Sequence, residues 1–258
     1  QRRLEFRIVP FGETQRLLIA RDITRIYQAS EMRKDFIANA SHELRSPLTV
    51  IAGYLESFED DTEECPASWR PLIGQMRNQN GRMQRLIEDL LQLSSLESSD
   101  ISSHQESIRV AEVLFSIYKE AETISGTQDH IFYLESDPEL CLMGNQREIY
   151  SAFSNLIFNA VQYTAAGGVI RIRWYEDEQG AHMSVSDTGE GVPEEHIDRL
   201  TERFYRVDKG RSRERGGTGL GLAIVKHILV RHNAKLHIES VFGEGSTFRC
   251  DFPKTAVI

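Results

Sequence analysis

Cysteine is scarce in this chain: Cys65, Cys141 and Cys250 are its three thiols in 258 residues, far apart and without a CxxC pair. That spacing indicates neither a disulfide framework nor a zinc site, and it suits a reducing cytosol. No apolar run approaches the ~20 residues that a bilayer-spanning helix needs, and no signal peptide is visible, so nothing in the sequence spans a membrane. Positive charge is in deficit. A net charge of −9 and a sequence pI of about 5.5 argue against a general nucleic-acid binder. An initial methionine is also missing, and a chain that opens on Gln1 reads as a piece of something longer. What remains is an ordinary globular composition, 40% hydrophobic and 27% charged, with length enough for two domains.

The first half is helical in pattern. Residues 4–9 and 16–20 are short β-like runs separated by Pro10 and Gly12, a hairpin signature. A helix is expected from Asp22 or Thr24. From Ile37 a stripe of Leu44, Leu48, Ile51, Leu55 and Phe58, with Ser41 at the remaining position, alternates steps of three and four as a bundle seam does. An acidic break with proline follows, from Glu59-Asp60-Asp61 to Pro66. A second stripe runs through Leu72, Met76, Met83, Leu86, Leu90 and Leu93, then fades into Ser94-Ser95 and Ser98-Ser99-Asp100, a linker by composition. One such hairpin cannot bury its whole apolar face, so dimerisation into a four-helix bundle completes it.

From about residue 105 helices and strands alternate. Helical patterns lie at 110–125, 145–163 and 219–232, and strand-like runs at 130–135, 169–175, 181–186, 235–241 and 246–252. A long stretch rich in Gly, Arg and Glu between Asp187 and Gly217 reads as a lid. The second half is therefore expected to be an α/β sandwich with a mobile loop over one face.

Two constellations carry chemistry. In Ser41-His42-Glu43-Leu44-Arg45-Ser46-Pro47, the seam through Ser41, Leu44 and Leu48 directs His42 off the core, flanked by Arg45, Ser46 and Thr49. Glu43 can orient one imidazole nitrogen or take its proton while the other attacks. Pro47 lacks an N–H and opposes the Glu43 carbonyl, so a kink is expected there. No second histidine stands four residues on, which excludes an HExxH zinc protease.

The second constellation suits a nucleotide. Asn155 and Asn159 are four apart on one helix face, where two amides can hold Mg²⁺ and phosphate oxygens, and Tyr163 extends that face toward a base. Asp187-Thr188-Gly189-Glu190-Gly191 follows a strand. Its carboxylate can accept from the exocyclic amine of adenine, and its glycines allow backbone to approach the ring. Gly216-Gly217-Thr218-Gly219-Leu220-Gly221-Leu222 opens a helix and exposes N–H groups as a phosphate cradle. It matches neither the Walker nor the Rossmann pattern. Gly243-Glu244-Gly245-Ser246-Thr247-Phe248 adds a glycine turn between strands.

The segment from Phe36 to Thr49 closely resembles the H-box of bacterial sensor histidine kinases. The Asn pair, the DxGxG turn, the lid and GTGLGL are similar to the N, G1, G2 and G3 boxes of the ATP domain shared by histidine kinases, gyrase, Hsp90 and mismatch-repair ATPases. Phe204-Tyr205-Arg206-Val207-Asp208 resembles the F box of the histidine-kinase branch, and Arg21-Asp22-Ile23-Thr24 the final strand of a PAS sensor domain. Residues 200–209 and Gly53-Tyr54-Leu55-Glu56 look most like the phosphate-regulon sensor kinases. Many family members carry Lys or Arg where this chain has Gln162, for which Lys209, Arg211, Arg213 and Arg215 could compensate.

The resemblance implies an α+β protein of two domains. Residues 25–100 would be a dimerising helical hairpin, 101–258 a catalytic ATP-binding domain, and 1–24 the end of a PAS-like domain. It implies ATP and Mg²⁺ as ligands, with His42 the phosphoacceptor assisted by Glu43 and Arg206, and Asn159 the metal ligand. Asn155, Tyr163, Asp187, Gly189, Gly191, Gly217, Gly219, Leu220, Gly221 and Thr247 would bind nucleotide. The partners implied are a second copy of the chain and the receiver domain of a response regulator, with no nucleic acid. Ser46 would position a hydrolytic water in a phosphatase mode. The location implied is the cytoplasmic portion of an inner-membrane-anchored protein. Two other readings use the same motifs: a dimeric scaffold that senses nucleotide without transferring phosphate, and a clamp ATPase like gyrase or Hsp90. The clamp ATPase needs a catalytic glutamate early in the Asn helix, where Glu148 stands seven residues before Asn155.

Overall fold

The structure, a computed structural model, describes residues 4–11, 15–60, 69–98, 105–207 and 217–258, with the side chains at 25–36, 38–39, 42, 59–60 and 98 left out. The acidic break around Pro66, Cys65, and the basic cluster from Lys209 to Arg215 lie outside the described residues.

Strands β1 (Leu4–Phe11) and β2 (Gln15–Asp22) form the antiparallel hairpin expected around Gly12, with Leu4 opposite Asp22. Its apolar side chains, among them Phe6, Ile8, Phe11 and Leu18, are exposed. Helix α1 (Thr24–Asp60) follows and runs through Pro47, and α2 (Arg70–Ser98) returns alongside it. The helices outlast the sequence signals for their ends. Glu59 and Asp60 still belong to α1, and Ser94-Ser95, expected to be linker, are inside α2 with Ser94 buried. Serine is a poor helix former only by a few tenths of a kcal/mol, and the burial of neighbouring Leu93 and Leu96 outweighs that.

The apolar stripe of α1 divides into two rows. Ser41, Leu48 and Leu55, each seven residues apart, are buried in the hairpin. Leu44, Ile51 and Phe58, also seven apart, are exposed. On α2 the row facing α1 is Ile73, Asn80 and Ile87, while Leu72, Met76 and Met83 are exposed. Asn80 donates its amide to the carbonyl of Leu48 at 3.0 Å. A buried amide bonded to one backbone carbonyl permits one register between the helices and penalises its neighbours.

The remainder is a sandwich of helices on a sheet. Strands β3 (Glu106–Arg109) and β5 (Cys141–Gly144) make a two-stranded antiparallel ribbon. Strands β4 (Ile131–Ser136), β6 (Val169–Glu176), β7 (Gly180–Asp187), β8 (Lys235–Val241) and β9 (Gly245–Pro253) make a five-stranded sheet in the order β4-β6-β7-β9-β8. Only the β4–β6 pair is parallel. Helices α3 (Val110–Ser125), α4 (Gln146–Tyr163) and α6 (Gly221–Arg231) supply the buried partners of the sheet, and α5 (Glu194–Ile197) is one turn within the lid. Alternation decides the faces. Ile170, Ile172 and Trp174 of β6 point into the core while Arg171 and Arg173 point away to Glu135. Trp174, Phe153 and Phe252 meet at the core with ring centroids 6.2–6.5 Å apart, and the Trp174 indole donates to the Leu140 carbonyl at 3.1 Å.

The two halves share apolar surface. Leu93 and Leu96 of α2 are buried in the core cluster of the sandwich, with Leu86 and Leu90 packed against it. The sequence stripe had assigned Leu86, Leu90 and Leu93 to the bundle seam. The correction is that the C-terminal half of α2 covers the sandwich, because an apolar row carries no label for its partner.

Candidate functional site

The Asn helix, α4, is started by Asn145, whose side-chain oxygen accepts from the amides of Arg147 and Glu148 at 3.0 and 3.2 Å. Ile149, Ala152, Phe153, Leu156, Ile157 and Ala160 fix one side of it in the core. Asn155, Asn159, Gln162 and Tyr163 therefore face outward together, into a cavity of about 650 Å³. Opposite them lie Asp187, Gly191, Gly217, Gly219, Gly221 and Arg206. Eight of the expected nucleotide residues and the lid arginine thus converge, although they come from four separate segments.

Asp187 ends β7 in the centre of the sheet. It accepts from the amide of Gly189 at 2.8 Å, closing a turn that brings the glycines beside it. Burial pushes its carboxyl above the ordinary value, and hydrogen bonds from the Gly189 and Ser246 amides oppose that. A desolvated acceptor at a strand end is what a ring amine would meet. Gly191 has φ +63, and a Cβ there would lie 2.0 Å from the Val241 carbonyl, so glycine is required by both conformation and space. A Cβ on Gly217 would be 3.6 Å from the Arg206 guanidinium and 3.6 Å from the Gln162 amide, so the absent side chain leaves a cradle edged with donors. A Cβ on Gly221 would meet Asn155 Oδ1 at 2.4 Å, while Asn155 Nδ2 donates to the Ser151 carbonyl at 2.8 Å. Asn155 is therefore clamped against the start of α6.

Three expected residues fall elsewhere. Thr247 is on the face of the sheet away from the helices, its hydroxyl 2.9 Å from that of Ser186; the cleft is lined by its neighbours Ser246 and Phe248. A strand alternates with period two, so naming one residue too many along it selects the wrong face. Leu220 is buried completely in the core, and Gly189 supports the Asp187 turn behind the lining. Glu148 pairs with Arg231 at 3.1 Å, away from the cleft lining.

The cleft also includes residues that the motifs did not single out. Arg85 and Asp89 of α2 form one wall, and Phe158, Leu200 and the exposed Phe242 supply apolar surface. Asp89 accepts from the Thr218 hydroxyl at 2.6 Å. Gln92 donates to Ser151 at 2.6 Å, Arg231 donates to the Leu96 carbonyl at 3.2 Å, and Glu97 pairs with Arg203. The ties at 89, 92 and 96 recur every three or four residues, hence along one face of α2, and Glu97 adds a contact next to the last of them.

His42, Glu43 and Ser46 stand in α1. Glu43 and Ser46 are exposed and four-apart Thr49 bonds back to the Arg45 carbonyl at 3.0 Å; the orientation expected for the His42 side chain lies outside the described residues. The Asn80–Leu48 bond fixes the level of the antiparallel helices. Five residues beyond Asn80 stands Arg85, and five before Leu48 stands Glu43, so Arg85 and the His42 turn share one level of the hairpin.

The His Kinase A (phospho-acceptor) domain matches residues 32–99, and the Histidine kinase-, DNA gyrase B-, and HSP90-like ATPase domain matches residues 144–256. The Phosphate regulon sensor protein PhoR of Pseudomonas aeruginosa is 52% identical over 255 residues, covering 99% of this chain and 58% of that protein. The chain belongs to the sensor histidine kinases. The protein of the same description from Haemophilus influenzae is 37% identical over 258 residues, covering 100% of this chain and 60% of that one, so the chain spans about three-fifths of these relatives. Among solved structures, full-length ShkA in complex with AMPPNP shares the fold, with a TM-score of 0.69, 22% identity and coverage of 85% of this chain and 45% of that one. No helix among the described residues is long and apolar enough to cross a membrane.

Proposed function

We propose that the chain is an ATP-dependent autokinase whose phosphoacceptor is His42 and whose phosphoryl group passes to an aspartate of a response regulator. The observation that carries this reading is that Arg85, which lines the donor-edged cleft, stands at the same level of the hairpin as the His42 turn. In the transfer, one imidazole nitrogen of His42 forms the N–P bond to the γ-phosphorus and the bond to the ADP oxygen breaks. Glu43 takes the proton from the other nitrogen. Asp187 accepts from the adenine amine, Tyr163 packs on the base, and the amides at the start of α6 hold phosphate oxygens. Arg206 offsets charge on the equatorial oxygens, since phosphoryl transfer depends mainly on positioning and electrostatics. Asn159 offers the amide oxygen that Mg²⁺ prefers, with Asn155 beside it as a phosphate contact; the bound ion would neutralise phosphate charge.

The exposed row of Leu44, Ile51, Phe58, Leu72, Met76 and Met83 supports a homodimer that closes a four-helix bundle. Exposed Ser46, one turn from His42, supports a phosphatase mode in which its hydroxyl positions water on the regulator. The names of the relatives support a role in phosphate-starvation signalling, and the division at about residues 24 and 100 follows from the same reading. A clamp ATPase is disfavoured because Glu148 is committed to Arg231 rather than the cleft.

Incubation with Mg²⁺ and γ-labelled ATP tests the proposal. Label should appear on the wild-type chain in acid-labile form and be absent from His42→Gln, which still binds nucleotide. Label retained by His42→Gln would refute His42 as acceptor, and nucleotide bound with no label on wild type would favour the sensing scaffold. Transfer to a panel of receiver domains, a phosphate-regulon regulator among them, tests the partner.

A further inference from the structure

Helix α2 contributes a carboxylate to a cleft built for an anion. Asp89 is half-buried in the wall of that cleft and its hydrogen bond at 2.6 Å takes the hydroxyl of Thr218, in the middle of the glycine loop. The same loop exposes backbone donors for phosphate, so a polyphosphate and Asp89 compete for one short segment. Their charges have the same sign, and in a partly desolvated cleft that repulsion is screened far less than in water. Burial raises the pKa of Asp89, with the Thr218 bond and Arg85 acting against it and Glu88 adding to it. The carboxylate is thus held here at a cost that a bound anion would increase.

We propose that Asp89 is an autoinhibitory latch: its contact with Thr218 holds the ATP domain on α2 in the nucleotide-poor state, and binding of a nucleoside triphosphate expels it. The latch ties release to the presence of phosphate. A ligand shifts such an equilibrium only by its differential affinity for the two states, and here the differential comes from one half-buried negative charge beside the phosphate loop. Gln92–Ser151, Leu96–Arg231 and Glu97–Arg203 lie farther along α2, outside the cleft lining, so they retain the end of the helix as a pivot while the contact at 89 opens. Arg85, one turn before Asp89, partly neutralises it when latched and remains to meet phosphate when Asp89 leaves.

The proposal rests on the nucleotide-site reading, and the experiment separates the two. Binding of AMPPNP and of ADP, each with Mg²⁺, is measured by calorimetry on the whole 258-residue chain as wild type, Asp89→Asn, Asp89→Ser and Asp187→Asn. Asn at 89 keeps an acceptor for Thr218 but not the charge, and Ser at 89 is a second neutral replacement should Asn disturb the fold. The latch predicts about tenfold tighter AMPPNP binding by either neutral variant, within the usual range of coupling between sites, and a smaller gain for ADP. It also predicts that the gain shrinks as salt is raised. Equal or weaker AMPPNP binding by both neutral variants, with binding lost in Asp187→Asn, would leave the site intact and overturn the latch. Undiminished binding in Asp187→Asn would overturn the site reading and the latch with it.

Discussion

Replacing Gly221 by alanine should separate stability from nucleotide binding, because the added methyl group meets a movable side chain rather than backbone. The new Cβ would lie 2.4 Å from Asn155 Oδ1 and 3.4 Å from its Cγ, so Asn155 must rotate. Rotation breaks the 2.8 Å bond from Asn155 to the Ser151 carbonyl, worth about 1 kcal/mol. Alanine recovers up to about 1 kcal/mol as the better helix residue at the start of α6. The melting temperature should therefore stay close to wild type. Binding should not, since a hydrogen bond to a charged group contributes about 1.5–3 kcal/mol, or roughly a 10- to 100-fold loss of Mg·ATP affinity. Gly191→Ala is the contrasting perturbation. Its φ of +63 and a Cβ 2.0 Å from the Val241 carbonyl require backbone movement, so it should lower stability itself by ~2 kcal/mol or more. Thermal unfolding and calorimetric titration of both variants decide the matter. Wild-type affinity in Gly221→Ala, or a stability loss equal to that of Gly191→Ala, would refute the clamp on Asn155.

Leu48→Ala should cost about 2–4 kcal/mol in hairpin stability, being 7% exposed. Ile51→Glu, at a position 44% exposed in the single chain, should instead convert dimer to monomer in sedimentation; a persistent dimer would refute the exposed row as the interface. His182 should stabilise the sandwich in a pH-dependent way. Burial alone would lower its pKa, but the hydrogen bond with Asp251 at 2.6 Å and the ionic contact with Asp177 at 2.9 Å, poorly angled for a hydrogen bond, raise it above 6.5. A raised folded pKa gives stability that is full below the unfolded value and lost as pH rises through the folded one, so the melting-temperature advantage of wild type over His182→Gln should be full below pH 6.5 and shrink as pH rises above it. Asp177 and Asp251 are lowered, the latter against its own burial, so their contribution is present above 3.8 and lost in acid. An advantage that grows with pH would refute the ion cluster.

The elements with a long period were legible in the sequence. Helices α3, α4 and α6 and the five sheet strands fall within a residue or two of their patterns, because each buries one face against a single core. Strands β3 and β5 escaped notice: Ile108 and Leu142 are buried, but four residues are too few to establish alternation. Asn80 hid the row it belongs to, since a polar residue in a seam reads as a gap in the stripe. Most residues announced by glycine or by paired amides line the cleft, but Gly189 and Leu220 lie behind it and Thr247 is one step along its strand from the lining. Arg85 and Asp89 had no local signal at all. Asp89 meets Thr218 across 129 residues, and nothing in either segment encodes the meeting.

The division of α2 explains why that meeting matters. Its N-terminal half presents Ile73, Asn80 and Ile87 to α1, and Leu93 and Leu96 near its end are buried with the sandwich. One rigid helix therefore carries both the register of the phosphoacceptor hairpin and the attachment of the nucleotide domain. A rotation or shift of α2 against α1 moves Arg85, Asp89 and the attached sandwich relative to the His42 turn at once, because a packed interface changes between discrete arrangements rather than deforming smoothly. The same apolar spacing that made the helix look like a simple bundle element is what lets a displacement in the hairpin reach the phosphate cradle without any separate relay.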